Sequence, residues 1–142
     1  MTAIKTKIIR KETYKRVEAN YRRALQMAVF QSAAMVRETA VQSVASGAKS
    51  GITYEKYNPR RTHIASAPGQ APATDTGYLL SNIVHQIDSD GLGASIESRA
   101  DYSAALEFGT SKMQARPFLH PAIEENRPKI KRLIAKLAKG AN

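Results

Sequence analysis

The chain contains no cysteine. That absence removes disulfides, thiolate zinc sites and a cysteine nucleophile together, so stability must come from packing or from contacts between subunits. No apolar run approaches the roughly 18 residues a membrane span needs, and Met1 to Ile9 carry no apolar signal-peptide core behind their lysines. The chain is therefore expected to be cytoplasmic at synthesis and to have no membrane partner. No glycine-rich phosphate loop is present: Gly91-Leu92-Gly93 lacks a third glycine and a following lysine. Nor is there a biased tract, an internal repeat or a linker. With 142 residues, 42% hydrophobic, 8 Gly and 6 Pro, residues 1–142 read as a single globular domain.

Charge of one sign is scarce where the other is dense. The net charge is +10, and the excess is terminal. Up to Arg23 stand Lys5, Lys7, Arg10, Lys11, Lys15, Arg16, Arg22 and Arg23 against Glu12 and Glu18. From Arg127 onward stand Arg127, Lys129, Lys131, Arg132, Lys136 and Lys139 with no acid. These ends are either solvated helix faces or a surface for nucleic acid or acidic protein.

From about Lys11 to Val44, apolar residues recur at intervals of three and four: Tyr14, Val17, Tyr21, Ala24, Leu25, Ala28, Val29 and Val36. The spacing predicts one amphipathic helix of about 50 Å at 1.5 Å per residue. Either part of that length packs on a neighbouring subunit or it lies across the domain's own sheet. Tyr14 and Tyr21 interleave with basic residues, as in single-strand nucleic-acid sites, but they fall on the apolar stripe and read as core. Before the helix, Ile4 to Ile9 fit an arm or an edge strand within residues 1–10.

Ile52 to Tyr57 alternates with period two, Asn58-Pro59 marks a turn, and Thr62 to Ser66 can return as a partner strand. The prolines between Ser66 and Pro72 end that strand. Asp75 or Thr76 is placed to cap a short helix that turns Leu79, Leu80 and Ile83 inward. Ile83–Ile87 and Ala94–Ser98 form a second alternating pair across a Gly-rich link. A helical turn follows from about Asp101, ending near Gly109, and a final helix runs from Pro117 to about Lys139, with a kink or break predicted at Pro128. The order predicts an α+β fold: a long N-terminal helix, an antiparallel sheet of about four strands built from two hairpins, short helices and a C-terminal helix.

Catalytic constellations are weak. Asp75-Thr76-Gly77 spells the aspartic-protease triplet, but it follows a Pro- and Ala-rich loop rather than a buried strand, and a helix cap fits better. His63, His85 and His120 lack metal-ligand spacing. Ser66 or Ser81 could meet a histidine only through the fold, and no Gly-x-Ser-x-Gly elbow accompanies either. Adjacent Glu124 and Glu125 point about 100° apart on a helix, a poor acid/base pair. Catalytic, cofactor-binding and metal-binding residues are therefore all expected to be absent.

Two segments carry a resemblance. His63-Ile64-Ala65-Ser66-Ala67-Pro68-Gly69-Gln70-Ala71-Pro72-Ala73-Thr74-Asp75-Thr76-Gly77-Tyr78-Leu79-Leu80-Ser81-Asn82-Ile83 resembles the "ASAPGxPPxxDTGxLxxSI" stretch of a family of tailed-bacteriophage minor tail or neck proteins, the gene product ten family of head-tail joining or tail-completion proteins. Tyr102-Ser103-Ala104-Ala105-Leu106-Glu107-Phe108-Gly109-Thr110-Ser111-Lys112-Met113-Gln114-Ala115-Arg116-Pro117-Phe118-Leu119-His120-Pro121-Ala122 is similar to that family's "YAxxLEFGTSKMxARPFLxPA" block. Ala71 stands where a second Pro is common, and Pro128 interrupts the last helix.

The resemblance implies a virion structural protein synthesised in a bacterial host. It would form a ring with copies of itself, six-fold, between head connector and tail, beside other neck and tail proteins, with passing DNA as a non-specific contact. The alternative is a basic DNA-contacting structural protein. Pro68, Gly69, Gln70, Ala71, Pro72 and Asp75 are expected to contact a neighbour, because a long loop without secondary structure is usually functional or disordered. Thr76, Gly77, Leu79, Phe108, Gly109, Pro117 and Phe118 are expected to set the fold, with Phe118 a buried anchor and Arg116 paired with Glu107.

Overall fold

A computed structural model describes residues 11–141; the segment Ile4 to Ile9, read as an arm or edge strand, lies outside them. Helix α1 runs from Lys11 to Ser46 without a break, as its spacing predicts. The hairpin β1 (Thr53–Tyr57) and β2 (Arg60–Ile64) follows, then the single-turn helix α2 (Tyr78–Ser81) and a second hairpin of β3 (Ile83–Ile87) and β4 (Ala94–Ser98). Helices α3 (Ser103–Phe108) and α4 (Leu119–Gly140) complete the chain. The fold is α+β, with four strands in two antiparallel hairpins.

The hairpins form two separate two-stranded sheets instead of joining into one. Burial explains the division. Thr53 pairs with Ile64 and Tyr57 with Arg60 around a turn containing a cis Asn58–Pro59 peptide, and only Lys56 and His63 in the ladder are even partly covered. The β3–β4 ladder pairs Ile83 with Ser98 and Ile87 with Ala94. It lies against α1, with Ile83 fully buried and Ile96 packed on the core.

That core joins the second half of α1 to the rest. Val36, Ala40 and Val44 meet Leu79, Ile83, Ala100, Phe118 and Ala122. Small residues at the crossing let α1 and α4 approach closely. Two polar bonds fix the register of α1: Asn126, fully buried on α4, donates Nδ2–H to Thr39 Oγ1 at 2.8 Å, and Arg37 donates Nε–H to the Ile83 carbonyl at 2.8 Å. The first half of α1 behaves differently. Positions 12–18 are exposed throughout, and Tyr14, read as core from its stripe, is 66% exposed. The helix is longer than the body that covers it, so the stripe continues past its own domain.

Helix α4 passes through Pro128 without a break. The prolyl ring removes one N–H bond to residue 124, but Glu124 and Pro128 are both exposed, so water can satisfy the freed carbonyl. Burial of Ala122 and Asn126 before the proline, and of part of Ile130 after it, holds both halves to the body.

The start of α4 is fixed from a distance. Phe118, at its N-cap position, offers no side-chain acceptor. Glu107 of α3 supplies one instead: its carboxylate accepts N–H bonds from Phe118 (2.9 Å), Leu119 (3.1 Å) and His120 (2.8 Å). A carboxylate suits the positive end of a helix. The turn that aims Glu107 needs Gly109, whose φ of 74° and ψ of 179° lie in a region open essentially to glycine alone. A Cβ there would stand 2.8 Å from the Met113 carbonyl oxygen.

Phe118 is 1% exposed, so Phe118→Ala is expected to destabilise the protein by about 3 to 5 kcal/mol in urea unfolding. Glu107→Ala should cost about 2 kcal/mol through the lost cap, and Glu107→Gln, which keeps an acceptor but not the charge, visibly less.

Candidate assembly surface

The connection between β2 and α2, expected to contact a neighbour, is for the most part tied to its own chain. Gln70 Oε1 accepts from the Ser50 and Ala67 backbone N–H groups, and its Nε2 donates to Ser50 Oγ at 2.8 Å. Lys49 reaches from the end of α1 to donate to the Ala71 and Pro72 carbonyls at 3.0 and 2.9 Å; burial lowers its pKa from the ordinary lysine value. Ala71 packs on the core and Pro72 is buried. Gly69 N–H bonds the Ala115 carbonyl at 3.0 Å, which ties the loop to the connection before α4. Pro68 and Gly69 remain exposed at the tip. Through these bonds the loop braces the body.

Gly77, with φ of 78°, occupies the N-cap position of α2; Asp75 makes no bond to the helix start, and of the two expected caps only Thr76 meets it. Thr74 Oγ1 accepts the Gly77 N–H, and Thr76 Oγ1 lies 3.4 Å from the Tyr78 nitrogen. Asp75 turns toward the first hairpin instead. Its carboxylate accepts from Lys56 Nζ and from Arg61 Nη2, the latter at 3.1 Å from Oδ1, with His63 Nδ1 3.9 Å away. The Lys56 hydrogen bond lowers the Asp75 pKa, assisted by the Arg61, Lys56 and His63 charges and opposed by burial. A lone two-stranded hairpin is marginal in water. This cluster is its principal polar tether to the loop, and it explains why Lys56 and His63 are the covered positions.

Strand alternation then turns Thr53, Glu55, Tyr57, Arg60, Thr62 and Ile64 to the opposite face. On that face Tyr57 is 75% exposed and Ile64 is exposed, while Ile52 and Tyr54, of the opposite parity, are exposed on the other. A second uncovered region is the start of α1, with Tyr14, Val17 and Leu25 exposed at helical spacing. A third is Phe108, which was expected to help set the fold and is 82% exposed. Its neighbour Glu107 faces inward to cap α4, and on a helix the next residue points about 100° away. None of these patches carried a distinct sequence signal: a strand displaying both faces reads like one with a buried face.

Between the loop and α3 lies a cleft of about 320 Å³, lined by His63, Ser66, Pro72, Thr74, Thr76, Tyr78, Leu79, Tyr102, Leu106 and Arg116, among others. The Tyr78 and Tyr102 rings stand 6.2 Å apart at a tilt of 39°. Ser66, His63 and Asp75 share this cleft but form no relay: Ser66 makes no hydrogen bond to His63, and the 3.9 Å from His63 to Asp75 exceeds hydrogen-bond reach. Arg116 does not pair with Glu107, whose carboxylate is occupied by α4. Its Nη1 meets only Met113 Sδ, at 3.6 Å, and its Nε is buried without an acceptor.

Among the described residues no group of three His, Asp or Glu side chains is placed to hold a metal, and no helix is long and apolar enough to cross a membrane. His85 stacks edge-on against Phe30 with centroids 6.3 Å apart, and His120 is exposed on α4, both apart from His63. Compared with family models, curated proteins and solved structures, the chain finds no match.

The Asp75 cluster generates an acid-sensitive tether. Its depressed pKa means the stabilisation is present above the ordinary value of 3.8 and is lost as pH falls through the lowered folded value. Asp75→Asn should weaken the protein at neutral pH and flatten that acid limb, read from urea midpoints measured down to pH values below 3.8.

Proposed function

We propose that the chain is a virion structural protein of a tailed bacteriophage, a subunit of a ring in the neck or tail-completion region that joins or closes the tail at the head connector. The observation that carries the reading is the distribution of large apolar side chains. Among the described residues the buried apolar set is six alanines with Val36, Val44, Leu79, Ile83 and Phe118, whereas fifteen larger apolar side chains are exposed. Single exposed apolar residues are ordinary. Here several fall on the β1–β2 hairpin and its entry, where Ile52, Tyr54, Tyr57 and Ile64 are exposed, and along the first half of α1 with Tyr14, Val17 and Leu25, and uncovered apolar area of this kind marks an interaction surface.

Two such patches on different parts of one subunit suit heterologous head-to-tail contacts, which close into a ring when the rotation allows. The resemblance of the two sequence segments to the neck-protein family supplies the identity of the assembly. In this reading the ring has six subunits, contacts other neck and tail proteins, and works in the virion without chemistry of its own.

A second reading, contact with DNA, is favoured by the basic stripe of α4. Arg127 and Lys129 are paired with Glu124 and Glu125, but Lys131, Arg132, Lys136 and Lys139 have no carboxylate partner among the described residues. Binding through such a stripe would be non-specific and would fade as salt rises. Tight binding of one sequence at physiological salt would promote this reading over the first.

The assembly reading is tested by native mass spectrometry across a concentration series, on wild type and on a variant with Ile52→Ser and Tyr57→Ser. The wild type is expected to be monomeric when dilute and to form closed rings as concentration rises. The variant should keep the wild-type melting temperature and lose the rings. A two-fold dimer as the end state, or a variant that assembles like wild type, would overturn the hairpin as a ring contact.

A further inference from the structure

The Arg116 cleft holds an unbalanced charge. A guanidinium stays protonated at every accessible pH and offers five donors in a planar fork. In Arg116 one terminal nitrogen faces a thioether sulfur, a weak acceptor, and Nε is buried with none. The acid that sequence pairs with it and the acid that lines the same cleft are both committed. Glu107 caps α4, and Asp75 is held by Lys56 and Arg61. Leaving a buried donor of a charged group unpaired costs more than an ordinary hydrogen bond gains, so the subunit by itself lacks the acceptor that this position calls for.

The surroundings define that acceptor. Thr74 and Thr76 already accept backbone N–H groups, which leaves their hydroxyl hydrogens to donate. Burial and the neighbouring Tyr78 push the Tyr102 phenol up, keeping it a neutral O–H donor. Pro72, Leu79 and Leu106 supply apolar wall. The cleft sets donors around a guanidinium, its one lining carboxylate, Asp75, being held by Lys56 and Arg61; with apolar walls and room for a few heavy atoms it matches a carboxylate on a short aliphatic stem, taken bidentately by the fork. It suits a nucleic-acid backbone less well, since a duplex is a convex rod and the cleft is concave.

We propose that this cleft receives an aspartate or glutamate side chain from a partner polypeptide, with Arg116 as its counter-charge. The proposal rests on the assembly reading only in requiring a protein partner. It is tested on the cleft alone, so that its failure is distinguishable from a failure to form rings.

The probe is N-acetyl-aspartyl-leucine amide, titrated into the isotopically labelled full chain while the Arg116 Nε–H resonance is followed by NMR. The asparagine counterpart and inorganic phosphate serve as comparisons. The aspartyl probe is expected to shift the resonance saturably, and the asparaginyl probe to leave it in place. Arg116→Lys, which keeps the charge and loses the fork, should weaken binding about tenfold when read from the Tyr78 and Tyr102 ring resonances. The proposal is overturned if the aspartyl probe gives no saturable shift, if the asparaginyl probe acts equally, or if phosphate shifts the resonance at lower concentration. A folded Arg116→Lys protein that binds as tightly as wild type overturns it too. Should that variant unfold, the wild-type titrations decide alone.

Discussion

The carboxylate of Glu107 bonds three successive backbone N–H groups at the start of α4, and through them it joins parts of the chain with little else in common. It fixes where α4 begins, and hence where Phe118 enters the core beside Val36, Leu79 and Ala122. It also fixes the path of the connection from Gly109 to Pro117, whose backbone returns to α3 when the Arg116 N–H meets the Leu106 carbonyl. That connection in turn receives Gly69 from the loop before α2. A single charged acceptor replaces a local cap because Phe118 must be apolar to fill the core and cannot also terminate the helix.

Helix α1 divides the molecule by a different constraint. Its second half presents Val36, Ala40 and Val44 to the sheet and to α4, and the polar bonds of Arg37 and Thr39 lock it there. Its first half keeps the same periodicity with nothing among the described residues lying over Tyr14 or Val17. A helix of this length is stabilised by its packed half and carries the other half outward as an ordered element. The β1–β2 hairpin does the same with strands. Held on one face through Lys56, Arg61 and Asp75, it leaves Tyr57 and Ile64 on the other. Both elements are ordered by the body and displayed beyond it.

Periodicity and turn chemistry made the elements legible in the sequence. The alternation of Ile83–Ile87 and Ala94–Ser98, the three-and-four spacing from Lys11, and Gly109 at the end of α3 each have a local cause that acts through neighbours in the chain. What was not legible depends on partners distant in sequence. Asp75 is a good cap by composition, yet Lys56 and Arg61, brought close by the hairpin, offer two cations, and Gly77 takes the N-cap position. Tyr14 lies on an apolar stripe, but whether a stripe is covered depends on the length of the body beside it. Pro128 breaks helices in general, though not where the freed carbonyl meets water and buried side chains clamp both sides. The loop from Pro68 to Pro72 resembled a free connector because its anchors, Ser50 and Lys49, lie about 20 residues upstream.

The same reasoning links the cap of α4 to the cleft. Spacing alone makes Glu107 and Arg116 a natural pair, and in solution opposite charges this close in the chain would attract. The helix terminus competes for the carboxylate and wins, since it offers three aligned donors, fixed by the backbone, at almost no further entropy cost, whereas a salt bridge must immobilise a long side chain. Arg116 is thereby released from its obvious partner, and its Nη1 is left against Met113 Sδ. The fold gains a defined start for α4 and leaves a donor-rich cleft open between the loop before α2 and α3. The carboxylates of Glu107 and Asp75 are both spent inside the subunit, on the start of α4 and on the first hairpin, and the requirement that shapes the monomer is what leaves Arg116 without either of them.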